Sequence, residues 1–223
     1  MHKLNRDPVA PACLAKYQYG RDRWGSGIPN PDEYDAIWAK LNQMQKRRCA
    51  YCEAAIDVDN RHVEHFAARA AWPQGTFLWR NLFGCCKRET SCGICKDSRQ
   101  TARYDWKELI KPDEDDPDDY FVFVKDGTIT PRLGLSPADE RRAKETLRVL
   151  NLDAEFGELR KMRRTQMMGY IASMDAVFSV VADNPELLPL AHEELQAMLA
   201  ETADLPFATA IRHALVSIAT KIA

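Results

Sequence analysis

Cys49-Ala50-Tyr51-Cys52, Val63-Glu64-His65-Phe66, Cys85-Cys86 and Ser91-Cys92-Gly93-Ile94-Cys95 follow one another in this 223-residue chain, and their reading decides the fold. Two cysteines separated by two residues bite a zinc ion from a tight turn. A second group, Cys85, Cys86, Cys92 and Cys95, comes later, so a four-thiolate site can close. Cys86 and Cys92 are the expected partners of Cys49 and Cys52, with Cys85 and Cys95 as alternates. The chain has seven cysteines, an odd number, and six of them fall in this stretch. That clustering favours structural Zn2+ over disulfides in a reducing compartment. Six neighbouring thiols without a metal would be an oxidation liability.

Between the two cysteine groups lie Glu64-His65 and, further on, Trp79-Arg80-Asn81-Leu82. Neighbouring side chains on a strand point to opposite faces, so an acid and a histidine side by side can take two roles. Short strands are expected over Ala50–Ile56 and Arg61–His65, then a loop containing Pro73 and Gly75. Short strands, long loops and clustered ligands mark a small metal-stapled core.

The order Cys pair, acid-His, Asn, Cys pair resembles the HNH endonucleases with their ββα-metal fold, over roughly Cys49 to Asp97 and including Arg69 and Lys96. The resemblance implies that His65 deprotonates the attacking water, Glu64 helps to bind Mg2+ or Mn2+, and Asn81 braces the loop that orients His65. A histidine titrating near neutrality suits a base, and a divalent ion stabilises charge on the phosphate and the leaving oxygen. Arg69 is placed to meet a phosphate oxygen with its planar fork. The sequence departs from the pattern at Gly93, where many HNH proteins carry a metal-binding His or Asn. Asp97, four residues on and on the same side if a helix has begun, is the nominated replacement.

The arm around Lys3, Leu4 and Arg6, the Trp79–Gly84 segment, and the Leu109–Asp113 and Thr146–Leu152 stretches are similar to one branch of that family. It is the PtuB-type HNH subunit of Septu and retron-associated anti-phage systems. Such a resemblance implies a separate ABC/SMC-like ATPase (PtuA-type) as partner and nucleic acid as substrate, DNA first and RNA such as tRNA as the alternative. Net charge is −2 with a pI near 6.2, so the whole molecule has no field to hold a polyanion unaided. Basic residues nevertheless dominate 61–111, beside the acidic run Asp113-Glu114-Asp115-Asp116-Pro117-Asp118-Asp119.

The expected class is α+β. Residues 1–31, with Pro8, Pro11 and Pro29, read as an extended arm; 32–112 as the nuclease core, entered by a helix from Asn30-Pro31 to about Arg47; 113–223 as a hairpin and a helical region. Asp126-Gly127 turns the hairpin between Tyr120–Val124 and Thr128–Pro131. Helices follow over about Ser136–Leu150, Asp153–Asp183 (with Phe156 on its inner face), Glu186–Thr202 and Pro206–Lys221. A methionine-rich face (Met162, Met167, Met168, Met174) reads as core or partner interface. No apolar run reaches about 18 residues and no signal peptide is evident, so no membrane and a cytoplasmic location are expected. From other classes, a non-catalytic zinc scaffold competes with the nuclease; a thiol redox role for Cys92 and Cys95 lacks the βαβ setting it needs.

Overall fold

In the computed structural model, which describes residues 1–155 and 157–220, the chain is of mixed helix and sheet and divides into two compact units. The first comprises Met1–Tyr120 and Leu135–Leu152, the second Phe121–Gly134 and Asp153–Ala223. Phe156 and Lys221 lie outside the described residues.

The first unit is built on helix α1 (Pro31–Gln45), strands β1 (Arg61–His65) and β2 (Leu82–Cys86), the one-turn helix α2 (Cys92–Lys96) and α3 (Pro137–Val149). Proline at the first helical position and Asn30 as cap start α1. Asn30 accepts the Glu33 N–H at 3.0 Å while the Glu33 carboxylate accepts the Asn30 N–H at 3.1 Å, a complete capping box. Ile37, Trp38 and Leu41 form its buried face. Gly84 of β2 lies under Trp38, whose ring would stand 2.8 Å from a Cβ there. Gln45, 1% exposed, joins the end of α1 to β2: its amide donates to the Gly84 carbonyl and accepts the Gly84 N–H, each at 2.8 Å.

β1 and β2 pair antiparallel, with Arg61 opposite Cys86 and His65 opposite Leu82. The end of α3 pins the start of α2, since the Leu150 carbonyl accepts the Cys92 N–H and Asn151 donates to the Thr90 carbonyl, both at 2.8 Å. The arm is not extended throughout: Ala12–Lys16 is a short 3-10 helix and turns follow it, because its prolines and glycines bend the chain, while the residues before Pro8 lie on this core. Arg6 is sandwiched between Trp79 and Phe83 (4.6 and 4.5 Å to the ring centroids), donates to the Trp79 and Leu82 carbonyls and pairs with buried Asp113 at 2.5 Å.

The expected strand over Ala50–Ile56 is instead a tight turn with one isolated bridge, Arg48 to Ala55. Both thiols of Cys49 and Cys52 have to reach one point, which an extended strand forbids. Glu53 adopts a left-handed φ of 65°, and the Cys49 N–H bonds back to the Ala54 carbonyl at 2.9 Å.

The second unit holds the hairpin β3 (Phe121–Phe123) and β4 (Ile129–Pro131) with helices α4 (Glu158–Asp183), α5 (Leu188–Thr202) and α6 (Ala208–Ala219). α4 starts later than expected because Asp153 serves the hairpin: it accepts the Ile129 N–H at 2.8 Å and pairs with Arg160 and Arg163. Buried Arg163 also donates to the Gly127 carbonyl at 2.6 Å. Gly127 has a φ of +92°, and a Cβ there would stand 2.1 Å from the Arg160 carbonyl oxygen. Of the methionine face, Met167 and Met174 are core and Met168 is exposed. Among the described residues no helix is long and apolar enough to cross a membrane.

Truncating Arg6 strands the Trp79 and Leu82 carbonyls and removes one of two cations from the Asp113 carboxylate, which keeps Lys111 at 3.2 Å. Arg6→Met is expected to cost about 1–3 kcal/mol of unfolding free energy, the usual effect of leaving buried polar groups unsatisfied, measured by urea denaturation. A loss below about 1 kcal/mol, the range of surface ion pairs, would contradict this account.

Candidate metal centre and active site

Four thiols meet at one end of the β1–β2 sheet. Cys49 and Cys52 come from the turn after α1, Cys86 is the last residue of β2, and Cys92 is the first of α2 with a left-handed φ of 61°. All four are buried, and their sulfurs lie within 4.8 Å of one another. The Cys52–Cys86 separation of 3.9 Å compares with an edge of about 3.8 Å for a tetrahedron with zinc–sulfur bonds of about 2.3 Å. The donor set therefore fits a structural zinc ion, and it is the foursome expected from sequence.

The other cysteines do other things. The Cys85 sulfur stands 3.7 Å from that of Cys49 but takes the Gly93 N–H at 3.4 Å, and Cys95 contacts the Thr101 hydroxyl. Thiol donors from Cys49, Cys52, Cys85 and Cys92 push the Cys86 thiol far below its ordinary range. Burial opposes ionisation of Cys49, but hydrogen bonds from Cys52 and Cys85 lower its pKa as well, whereas those of Cys52 and Cys92 are raised by their bonds to Cys49, so a cation is what would let all four ionise together.

Period-two alternation along β1 places His62 and Glu64 on one face and Val63 and His65 on the other. His65 is 6% exposed, with its Nε2 2.9 Å from the Thr76 carbonyl oxygen. A carbonyl only accepts, so Nε2 carries the proton and Nδ1 keeps its lone pair. Trp24 stands edge-on to the ring at 4.8 Å. Burial lowers the His65 pKa to about 4, against the Thr76 bond and the Glu64 charge, and the ring is neutral at pH 7.

Asn81, 2% exposed, ties together the loop that carries Thr76. Its carbonyl accepts the Ala67 N–H at 2.8 Å, and its amide donates to the Ala67 and Gly75 carbonyls, each at 3.1 Å.

Glu64 is 4% exposed, with one oxygen 3.0 Å from the Lys96 ammonium and the other 3.2 Å from His62 Nε2. Asp97 caps the end of α2 and meets the same ammonium at 2.5 Å. Burial works against ionisation of Glu64, but the Lys96 charge and His62 outweigh it and its pKa falls; the Asp97 pKa rises through burial and the Glu64 charge. The nominated carboxylates thus converge, and their oxygens are of the kind a hard divalent ion takes, but a lysine already lies between them. Gly93 explains itself here: a Cβ at that position would stand 2.3 Å from a Glu64 carboxylate oxygen.

Arg69 is exposed and donates to the Trp24 carbonyl at 3.0 Å. It lies on the rim of an open cleft of about 510 Å3 that Lys96, Asp97, Arg103 and Tyr104 also line. Sequence reasoning missed His62, although its position two before Glu64 puts it on the same strand face. Trp24 and Thr76 come from irregular segments that carry no periodic signal.

Cys52→Ser and Cys86→Ser should each reduce the bound zinc and lower the melting temperature, whereas Cys95→Ser should keep a full complement by metal analysis. Gly93→Ala should destabilise the zinc-loaded protein by about 1–3 kcal/mol through overpacking; an unchanged melting temperature would mean that the Glu64 carboxylate does not rest on Gly93.

No family model matches the chain. It is similar to the Septu protein PtuB of Bacillus thuringiensis, 29% identical over 94 residues that cover 39% of this chain and 34% of that protein. It is also similar to the Retron Vc95 putative HNH endonuclease of Vibrio cholerae serotype O1 biovar El Tor, 25% identical over 139 residues, 59% of this chain and 64% of the relative. The matched stretches thus span about a third and somewhat under two thirds of the two relatives. Both likenesses are partial and of low identity.

Proposed function

We propose that the first unit is an HNH nuclease core that hydrolyses phosphodiester bonds in DNA, as the effector subunit of an anti-phage defence complex. The observation that carries this is His65: a buried, neutral imidazole whose tautomer is set by the Thr76 carbonyl, one residue from a carboxylate on a strand whose partner strand ends in a ligand of the four-cysteine cluster. In this reading Nδ1 takes the proton of the attacking water. Asn81 holds the loop that fixes the ring, and Arg69 on the cleft rim meets the phosphate. Mg2+ or Mn2+ held by Glu64 and Asp97 would supply charge stabilisation at the phosphate and the leaving 3′ oxygen.

An ABC/SMC-like ATPase of the PtuA type is the proposed partner. A net charge of −2 supports that assignment, because the chain needs help to retain a polyanion. These residues address backbone and not bases, so the same chemistry on RNA is decided by the products.

The test compares wild type with His65→Ala, each purified with its partner, on plasmid DNA and on tRNA, with Mg2+, Mn2+ or EDTA and with or without ATP. Metal-dependent cleavage of plasmid is expected, reduced by about 10²–10⁴-fold in His65→Ala. Consumption of tRNA alone would move the substrate to RNA. Intact nucleic acid from folded, zinc-loaded wild type under every ion would make the protein a zinc-bearing binding module.

The pH profile is a second check. Because the folded pKa of His65 is lowered to about 4, its neutral form persists well below the usual histidine range, so the His65-dependent acid limb of kcat/KM should lie near 4 and not near 6.5. For stability the sign is the reverse of a paired histidine. The unfolded chain binds the extra proton below about 6.5, so the His65 contribution weakens as pH falls from there towards 4.

A further inference from the structure

Lys96 has no exposed side-chain surface, yet it stands at the edge of the cleft. Its ammonium is ringed by oxygens: Glu64 at 3.0 Å, Asp97 at 2.5 Å, the His65 backbone carbonyl at 3.2 Å and the Tyr104 hydroxyl at 3.5 Å. Such an all-oxygen shell, with two carboxylates and a main-chain carbonyl, is what hard cations collect. The position lies between the two residues read above as ligands of a divalent ion. We propose that Lys96 is the resident cation of that site and holds it shut, so that a divalent ion enters only when the Lys96 ammonium leaves. This deepens the nuclease reading and rests on it for the identity of the ligands.

Three observations make Lys96 the part that moves. Glu64 is fixed on both sides, by His62 at 3.2 Å and by packing so close to Gly93 that a Cβ there would stand 2.3 Å away. Lys96 has a flexible four-carbon stem and an open cleft of about 510 Å3 beside it. Charge also favours the exchange. Two carboxylates around one ammonium leave one negative charge unbalanced, whereas a divalent ion with the lysine withdrawn balances both. The ammonium and the ion cannot share the same oxygens, because like charges at such separation repel strongly.

The zinc-loaded chain is titrated with Mn2+, and free Mn2+ is read by electron paramagnetic resonance in wild type, Lys96→Met and Lys96→Met with Glu64→Gln. Lys96→Met is expected to gain a class of site that binds at least about tenfold tighter than wild type, equivalent to about 1.4 kcal/mol. That class should vanish in the double variant, which separates it from adventitious binding to the acidic run at 113–119. Equal or weaker binding by Lys96→Met that retains zinc overturns the proposal.

If Lys96→Met does not fold, a titration of wild type decides. The Lys96 ammonium resonance, assigned by its absence in Lys96→Arg, should lose its exchange protection as Mg2+ is added; a resonance unmoved by Mg2+ throughout the titration overturns the proposal. Neither readout depends on cleavage. A protein that exchanges lysine for metal as described but leaves nucleic acid intact would sink the nuclease reading and leave this one standing.

Discussion

The gathering of four buried sulfurs into one tetrahedral space is the constraint on which the first unit depends. A sheet of two five-residue strands and a helix of a single turn are each too small to persist alone in water. Cys49 and Cys52 lie at the exit of α1, Cys86 at the end of β2 and Cys92 at the entry to α2, so one ion held there would tie three elements at their termini. Metal binding free energy would then be folding free energy for this part of the chain. Gln45 performs a similar task with amide hydrogen bonds at the other side of the turn, and the Arg6 sandwich adds the arm.

That rigidity is what lets adjacent residues on one short strand face different environments. Glu64 looks towards α2 and a buried ammonium; His65 looks towards Thr76 and Trp24. The His65 ring is closed by a main-chain carbonyl, which does not titrate, whereas Glu64 is held by the side chains of Lys96 and His62. Hence burial sets the protonation of His65, and charged neighbours set that of Glu64 against its burial.

Much of this was legible in the chain. α1, with its cap and proline, the Asp126-Gly127 hairpin and α3 follow from local chemistry, and the structure has them within a residue or two. The Cys49-Cys52 pair was legible because its spacing is a short-range signal, whereas the choice of Cys86 and Cys92 over Cys85 and Cys95 depends on how β2 and α2 pack. The turn at Ala50–Ile56 was misread as strand because its apolar residues satisfy a β pattern, while the geometry is dictated by the demand that two thiols converge. Asp153 was read as helix because nothing local says that it caps the hairpin. Lys96 stood in the motif, but that it would lie buried between Glu64 and Asp97 depends on α2 docking on β2, which is tertiary information. Nor does chain order reveal that α3, after the hairpin, belongs with the first unit.

The contact between Gly93 and the Glu64 carboxylate makes positions 64 and 93 two claims on a single volume. A side chain at 93 and the Glu64 carboxylate in its present place compete for that volume, so one of them has to shift. A histidine grafted at 93 is then no simple repair of a missing motif letter, because it displaces the carboxylate opposite.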